Sequence, residues 1–211
     1  MLEKLACKLE RNDEAPNIEL AEELCRKDDA TGIREIIAGF IGADRAVAND
    51  CIKVLYEVGQ RKPELIAGYA NEFIPHLLSK NNRLAWGSMT ALARIVEHAP
   101  EPIFEKLSVV KAAYEDGSVI TVDNSISVFA GLCKAGENYA KEVLPILINH
   151  LRKCRPKEVP QHAERAQVCF NSGNAGAFIE VLEERLPNLV ATGQARVKKL
   201  LKMLYGIRSR T

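Results

Sequence analysis

VANDCIKVLYEVGQRKPELI (residues 47–66) and LAWGSMTALARIVEHAPEPI (residues 84–103) align without a gap at an offset of 37. Five of the 20 positions are identical: Ala48/Ala85, Leu55/Leu92, Pro63/Pro100, Glu64/Glu101 and Ile66/Ile103. At Val47/Leu84, Ile52/Met89 and Val58/Ile95 one apolar side chain replaces another. The offset continues on both sides. Ile36, Ile37, Phe40 and Ile41 fall on Phe73, Ile74, Leu77 and Leu78, while Met89 and Leu92 fall on Ile126 and Phe129. Ile66, Ile103 and Ala140 share a column, as do Leu107, Leu144 and Val181, and three periods on Met89 and Leu92 fall on Leu200 and Met203. Self-similarity at a fixed period of this length is the mark of stacked structural units, each too small to bury its apolar face alone. Pro156, Pro160, Gly173 and Gly176 loosen the spacing over residues 155–175 and predict a longer or distorted connection there.

Inside one unit the pattern is helical twice over. Ile66, Tyr69, Phe73, Ile74, Leu77 and Leu78 follow the three-and-four spacing of a buried helical stripe. Turn residues interrupt it at Ser79–Asn82, and a second stripe of Leu84, Met89, Leu92 and Ile95 ends before Pro100 and Pro102. No stretch alternates with period two for long enough to argue a sheet. The nearest strand candidate, DGSVITVDNS (residues 116–125), is placed by the repeat at the link between two helices.

A helix pair recurring at this period resembles the HEAT/armadillo family of α-solenoids. The resemblance implies an all-α, right-handed solenoid of about five antiparallel helix pairs over residues 27–211. Residues 1–26 form an N-terminal cap, a partial pair broken near Pro16, and residues 1–211 count as one repeat domain. A compact helical bundle with accidental periodicity is the alternative, and the ungapped match over several helices argues against it. The resemblance further implies that the second helix of each pair lines an inner, concave surface.

Composition excludes several other classes. Of 211 residues, 47% are hydrophobic and 27% charged, as in a soluble globular protein. No apolar run approaches the ~20 residues that cross a bilayer. The opening MLEKLACKLERNDE is charged throughout and lacks a signal-peptide core, so a cytoplasmic location is expected. Cys7, Cys25, Cys51, Cys133, Cys154 and Cys169 form no C-x-x-C pair and read as reduced thiols, mostly small core residues. His76, His98, His150 and His162 show no H-x-x-x-H spacing, and AGEN, GNAG and TGQA lack the spacing of a phosphate-binding loop. No metal, cofactor or catalytic constellation is expected.

Function is therefore sought on the surface. Positions one period apart lie side by side on adjacent units. Asn49, Trp86 and Asp123 share one column; Lys53, Thr90 and Ser127 the next; Glu57, Arg94 and Gly131 the third. These columns are mainly polar, which places the chain's only tryptophan off the core stripe. Trp86 beside a carboxylate suits a cationic side chain, a peptide or a base; alternatively its ring covers a gap between helices. The expected partner surface is Asn49, Lys53, Trp86, Thr90, Arg94 and Asp123, presented by a non-catalytic scaffold to a protein or peptide.

The alternative is a DNA-binding or DNA-repair protein. Some HEAT-like proteins are DNA glycosylases for alkylated bases, with an aromatic and an acidic residue on a basic concave surface. This chain departs from them in having Thr90, not an acid, one turn after its single tryptophan, and a centre that is not basic. Residues 1–50 carry 7 Lys/Arg against 12 Asp/Glu, residues 51–150 carry 10 against 11, and residues 151–211 carry 12 against 5. Only the last third could supply the phosphate contacts that DNA affinity requires. Its densest basic run is Arg152, Lys153, Arg155 and Lys157, which reads either as a docking patch or as cations at a helix C-terminus. The closing ARVKKLLKMLYGIRSRT predicts a cap helix, with Val197, Leu200, Leu201 and Leu204 inward and Lys198, Lys199 and Lys202 outward.

Overall fold

A computed structural model describes residues 1–209; Arg210 and Thr211, the last two positions assigned to the repeats, lie outside the described residues. The described chain is helical and contains no strand. Its α-helices are α1 (Ala15–Lys27), α2 (Ala30–Phe40), α3 (Arg45–Arg61), α4 (Ala70–Phe73), α5 (Asn82–Ile95), α6 (Pro100–Glu105), α7 (Leu107–Asp116), α8 (Val119–Ala135), α9 (Glu137–Lys153), α10 (Val159–Ala166), α11 (Ala175–Arg185) and α12 (Ala191–Arg208). Among the described residues no helix is long and apolar enough to cross a membrane.

The starts of the second helices show the repeat as geometry. Asp44 accepts hydrogen bonds from the Ala46 and Val47 amides, Asn81 from Arg83, and Ser118 from Thr121. Each side chain satisfies an amide that a first helical turn leaves without an internal partner. These three caps lie 37 residues apart. The next second helices follow Glu158 and Val190, which are off that interval. This is the loosening expected over residues 155–175.

Two compact units divide the chain, residues 1–125 and 126–211, with α8 running across the division. In the first unit α3 packs beside α5, α1 packs on α3, and α2 pairs with α3. Ile74–Leu78 packs against α5 and α7. In the second unit α9 packs on α11, α10 on α12, and α11 pairs with α12. First helices thus meet first helices and second helices meet second helices, as stacked pairs require. The predicted core columns are buried: Ile52, Met89, Leu55 and Leu92 in the first unit, Ile126 and Phe129 in the second.

Several local expectations need correction. The stripe over residues 66–78 is not one helix but α4 flanked by 3₁₀ turns at Ala67–Tyr69 and Ile74–Leu78, because Pro75 removes an amide donor from its middle. Ile41 and Leu78 occupy equivalent positions and are 57% and 58% exposed, both at the end of a first helix. Pro16 lies in the first turn of α1, where the missing amide hydrogen costs nothing. Met203 faces solvent at 40% exposure because α12 starts two residues ahead of the 37-residue interval. Its buried stripe is Val197, Leu200, Leu201 and Leu204, as the cap reading expects, and Lys198, Lys199 and Lys202 are exposed.

Candidate functional site

The candidate surface is built where α3 and α5 pack closely through Gly87. A Cβ on Gly87 would stand 2.7 Å from Ile52 Cγ1, so glycine is what lets α5 lie this near α3. Trp86, its neighbour, is thereby held at the edge of the contact. The indole is half-buried and its ring centroid lies 5.7 Å from that of Tyr56, at an interplanar angle of 47°. Tilted aromatic pairs at this separation are favourable beyond the area they bury. The backbone beneath the indole is fixed as well. Thr90 Oγ1 donates to the Trp86 carbonyl at 2.8 Å and accepts from Asn124 Nδ2 at 3.0 Å.

Charges surround the aromatic pair. Lys53 Nζ lies 4.8 Å from the Tyr56 ring centroid, 2.9 Å from Glu57 and 3.0 Å from Glu14. The other Glu14 oxygen accepts from Arg83 at 2.7 Å, so the cap residue before α1 links α3 to α5. Glu57 also accepts from Arg61, which reaches Glu22 at 2.9 Å. Burial presses the Lys53 ammonium toward its neutral form, but the carboxylates of Glu57 and Glu14, with Tyr56, outweigh it and hold the pKa above the ordinary lysine value. Burial likewise pushes the Glu57 carboxyl up, and Lys53 and Arg61 bring it below the ordinary carboxylate value. Burial raises the Tyr56 phenol.

All six residues expected at the partner surface lie on α3, α5 and α8. Two are not exposed as expected: Lys53 is 7% and Thr90 8% accessible. Lys53 is drawn in by its carboxylates, and Thr90 by its bonds to Trp86 and Asn124. Asn49, Trp86 and Asp123 are half-buried and Arg94 is exposed. The stem of Arg94 lies over Gly59, where an added Cβ would be 3.0 Å from Arg94 Cβ.

Touching pairs are also displaced from strict equivalence. Asn49 meets Asn81 and Arg83, Gly87 meets Ile52, Thr90 meets Asn124, and Trp86 meets Tyr56. Neighbouring helices meet through opposite edges, so contacts pair a residue with one several positions from its equivalent. Sequence reasoning missed Tyr56 and Arg83 for this reason, and it missed Glu14 as well. Tyr56 carries a usable signal, since it lies three positions after Lys53 on one helical face. Glu14 carries none, because the cap stands outside the repeat.

In the second unit, the basic run is partly neutralised. Arg152 pairs with Glu184 at 3.0 Å and Glu180 at 3.3 Å, and Arg155 with Glu158. Lys153 and Lys157 are exposed. Arg152 and Lys153 lie in the last turn of α9, where cations complement the helix dipole.

The stacked helix pairs have the fold of an armadillo-type α-solenoid, and solved structures share it. One engineered protein from the Northeast Structural Genomics Consortium superposes with a TM-score of 0.70 at 17% identity, covering 97% of this chain and 96% of its own. A designed armadillo repeat protein in complex with the peptide (KR)4 has a TM-score of 0.70 at 15% identity and 92% coverage of both chains. A second engineered protein of the consortium has a TM-score of 0.64 at 19% identity, covering 96% of this chain and 98% of its own. No family model and no curated protein matches the sequence.

Proposed function

We propose that the chain is a non-catalytic scaffold whose second-helix surface in the first unit binds a basic peptide or protein segment. The observation that carries this reading is the half-buried Trp86–Tyr56 pair, held from behind by Thr90 and from the side by Lys53. Tryptophan and arginine are the common anchors of interfaces, and an anchor works best when its conformation is fixed before binding. In this reading Trp86 supplies the stacking face for a cationic side chain, Asp123 and Asn49 supply acceptors, and Arg94 marks one edge. Lys53 and Thr90 hold the platform without touching the partner. The acidic balance of residues 1–50 favours a basic partner, and the peptide in the designed armadillo protein is (KR)4.

Trp86 is the chain's only tryptophan, so its emission reports on this surface alone. Titration with (KR)4 at low salt should shift that emission saturably, whereas an acidic peptide of equal length should not. Trp86→Phe, monitored by anisotropy of a labelled peptide, should bind more weakly, and Asp123→Asn should do the same. If neither peptide perturbs Trp86 and the labelled (KR)4 stays free, the reading fails.

A further inference from the structure

The four histidines give no metal signature by spacing, yet the turn between α9 and α10 brings two of them together with a cysteine. His150 lies in the last turn of α9, Cys154 caps that helix one turn later, and His162 lies one turn inside α10. A nitrogen of each imidazole and the Cys154 Sγ all lie within 4.8 Å of one another. His150 Nε2 and His162 Nδ1 are 2.7 Å apart and share a hydrogen bond. Both histidines are buried and Cys154 is half-buried.

We propose that His150, Cys154 and His162 form a three-ligand site for a zinc-class divalent cation. Two imidazoles and a thiolate are the borderline N/S donor set that zinc prefers, and three protein ligands leave one tetrahedral position for water. The shared hydrogen bond marks where the ion would enter. At Zn–N bonds of ~2.0–2.1 Å a tetrahedral edge between the nitrogens is about 3.3 Å, so the rings must part by about 0.6 Å, and at a Zn–S bond of ~2.3 Å the thiol must come to about 3.6 Å from each nitrogen. On binding, the imidazole proton between the rings moves to the far nitrogen of its own ring, and the thiol proton passes to solvent.

The backbone is already fixed for this. The Cys154 amide donates to the His150 carbonyl at 2.8 Å, and the His162 amide to Glu158 at 2.9 Å. Arg185, buried on α11, donates to the carbonyls of Arg152 and Cys154. Cations near the site are balanced in part by Glu158, Glu180 and Glu184. The site lies wholly in the second unit and is independent of the peptide surface.

Cobalt(II) is the probe, since tetrahedral coordination gives intense visible bands and a thiolate adds a near-ultraviolet charge-transfer band. The reduced, metal-stripped full chain should develop both at one equivalent, and one equivalent of zinc should bleach them. Cys154→Ser should lose the charge-transfer band and weaken zinc binding at least tenfold in a chelator competition. His162→Asn should lose the tetrahedral spectrum. Cys7→Ser, a thiol of the first unit, should match the unmodified chain. Zinc should raise the melting temperature of the unmodified chain and of Cys7→Ser, but not of Cys154→Ser. Failure to form the bands at one equivalent, or their survival in Cys154→Ser, overturns the proposal. If His162→Asn does not fold, the half-buried Cys154→Ser still decides it.

Discussion

In the proposed function Trp86 and Lys53 divide one small surface between contact and support. The indole is half-buried against Tyr56, whereas the Lys53 ammonium lies under the surface between two carboxylates. Full removal of a buried tryptophan typically costs about 3–5 kcal/mol. Trp86 loses only its covered edge, so Trp86→Ala should cost about 1–2 kcal/mol by urea unfolding and leave helicity unchanged. Global melting in that variant would instead make the indole a packing residue. Lys53→Ala leaves Glu57 paired only with Arg61 and Glu14 only with Arg83, and should cost about 1–2 kcal/mol.

The same pair predicts the response to pH. The Glu57 carboxyl is depressed in the folded chain, so its contribution is present above the ordinary value of 4.5 and fades as pH falls through the folded value. The Lys53 pKa is raised, so its contribution is complete below the ordinary value of 10.5 and fades only as pH rises through the folded one. Urea midpoints between about pH 6 and pH 3 should therefore fall more steeply for the unmodified chain than for Glu57→Gln, with no corresponding difference on the alkaline side up to about pH 9. Parallel acid limbs would show that Glu57 has the same pKa folded and unfolded.

At the scale of the elements, what was legible in the sequence follows from what repeats. Ile52/Met89 and Leu55/Leu92 are buried because the shared core needs an apolar residue there in every unit. Asp44, Asn81 and Ser118 recur at the same interval and satisfy first-turn amides of α3, α5 and α8, although the apolar columns alone did not single them out. Asn81→Ala should cost about 0.5–2 kcal/mol, the usual loss for a removed cap. Leu92→Ala should cost about 2–5 kcal/mol as a core truncation. A smaller loss for Leu92→Ala than for Asn81→Ala would mean that the buried column carries little of the stability.

What was not legible is what does not repeat. The broken first helix at residues 63–78, the early start of α12, and Glu14 reaching Arg83 from the cap each depend on a single residue or a change in spacing. His150, Cys154 and His162 belong to the same group. They meet only because a short turn folds α10 back on α9, where the interval between second helices has lengthened.

At the scale of the whole molecule, the sequence divides its charge: 7 Lys/Arg against 12 Asp/Glu in residues 1–50, and 12 against 5 in residues 151–211. That asymmetry makes a quantitative demand on the proposed basic partner. Screening acts within ~10 Å at 0.1 M salt and ~3 Å at 1 M. A peptide attracted by the acidic first unit should lose affinity steadily over that range, mainly through a slower association rate. Stacking on Trp86 is short-ranged and survives salt, so Trp86→Phe should shift the whole salt curve to weaker binding without changing its slope. Asp123→Asn removes charge instead of ring area, so it should flatten the slope. Stopped-flow fluorescence of labelled (KR)4 at several salt concentrations separates the two. Equal slopes for Asp123→Asn and the unmodified chain would assign the attraction to acidic groups elsewhere in the first unit, and a salt-independent association rate would remove electrostatics from the recognition altogether.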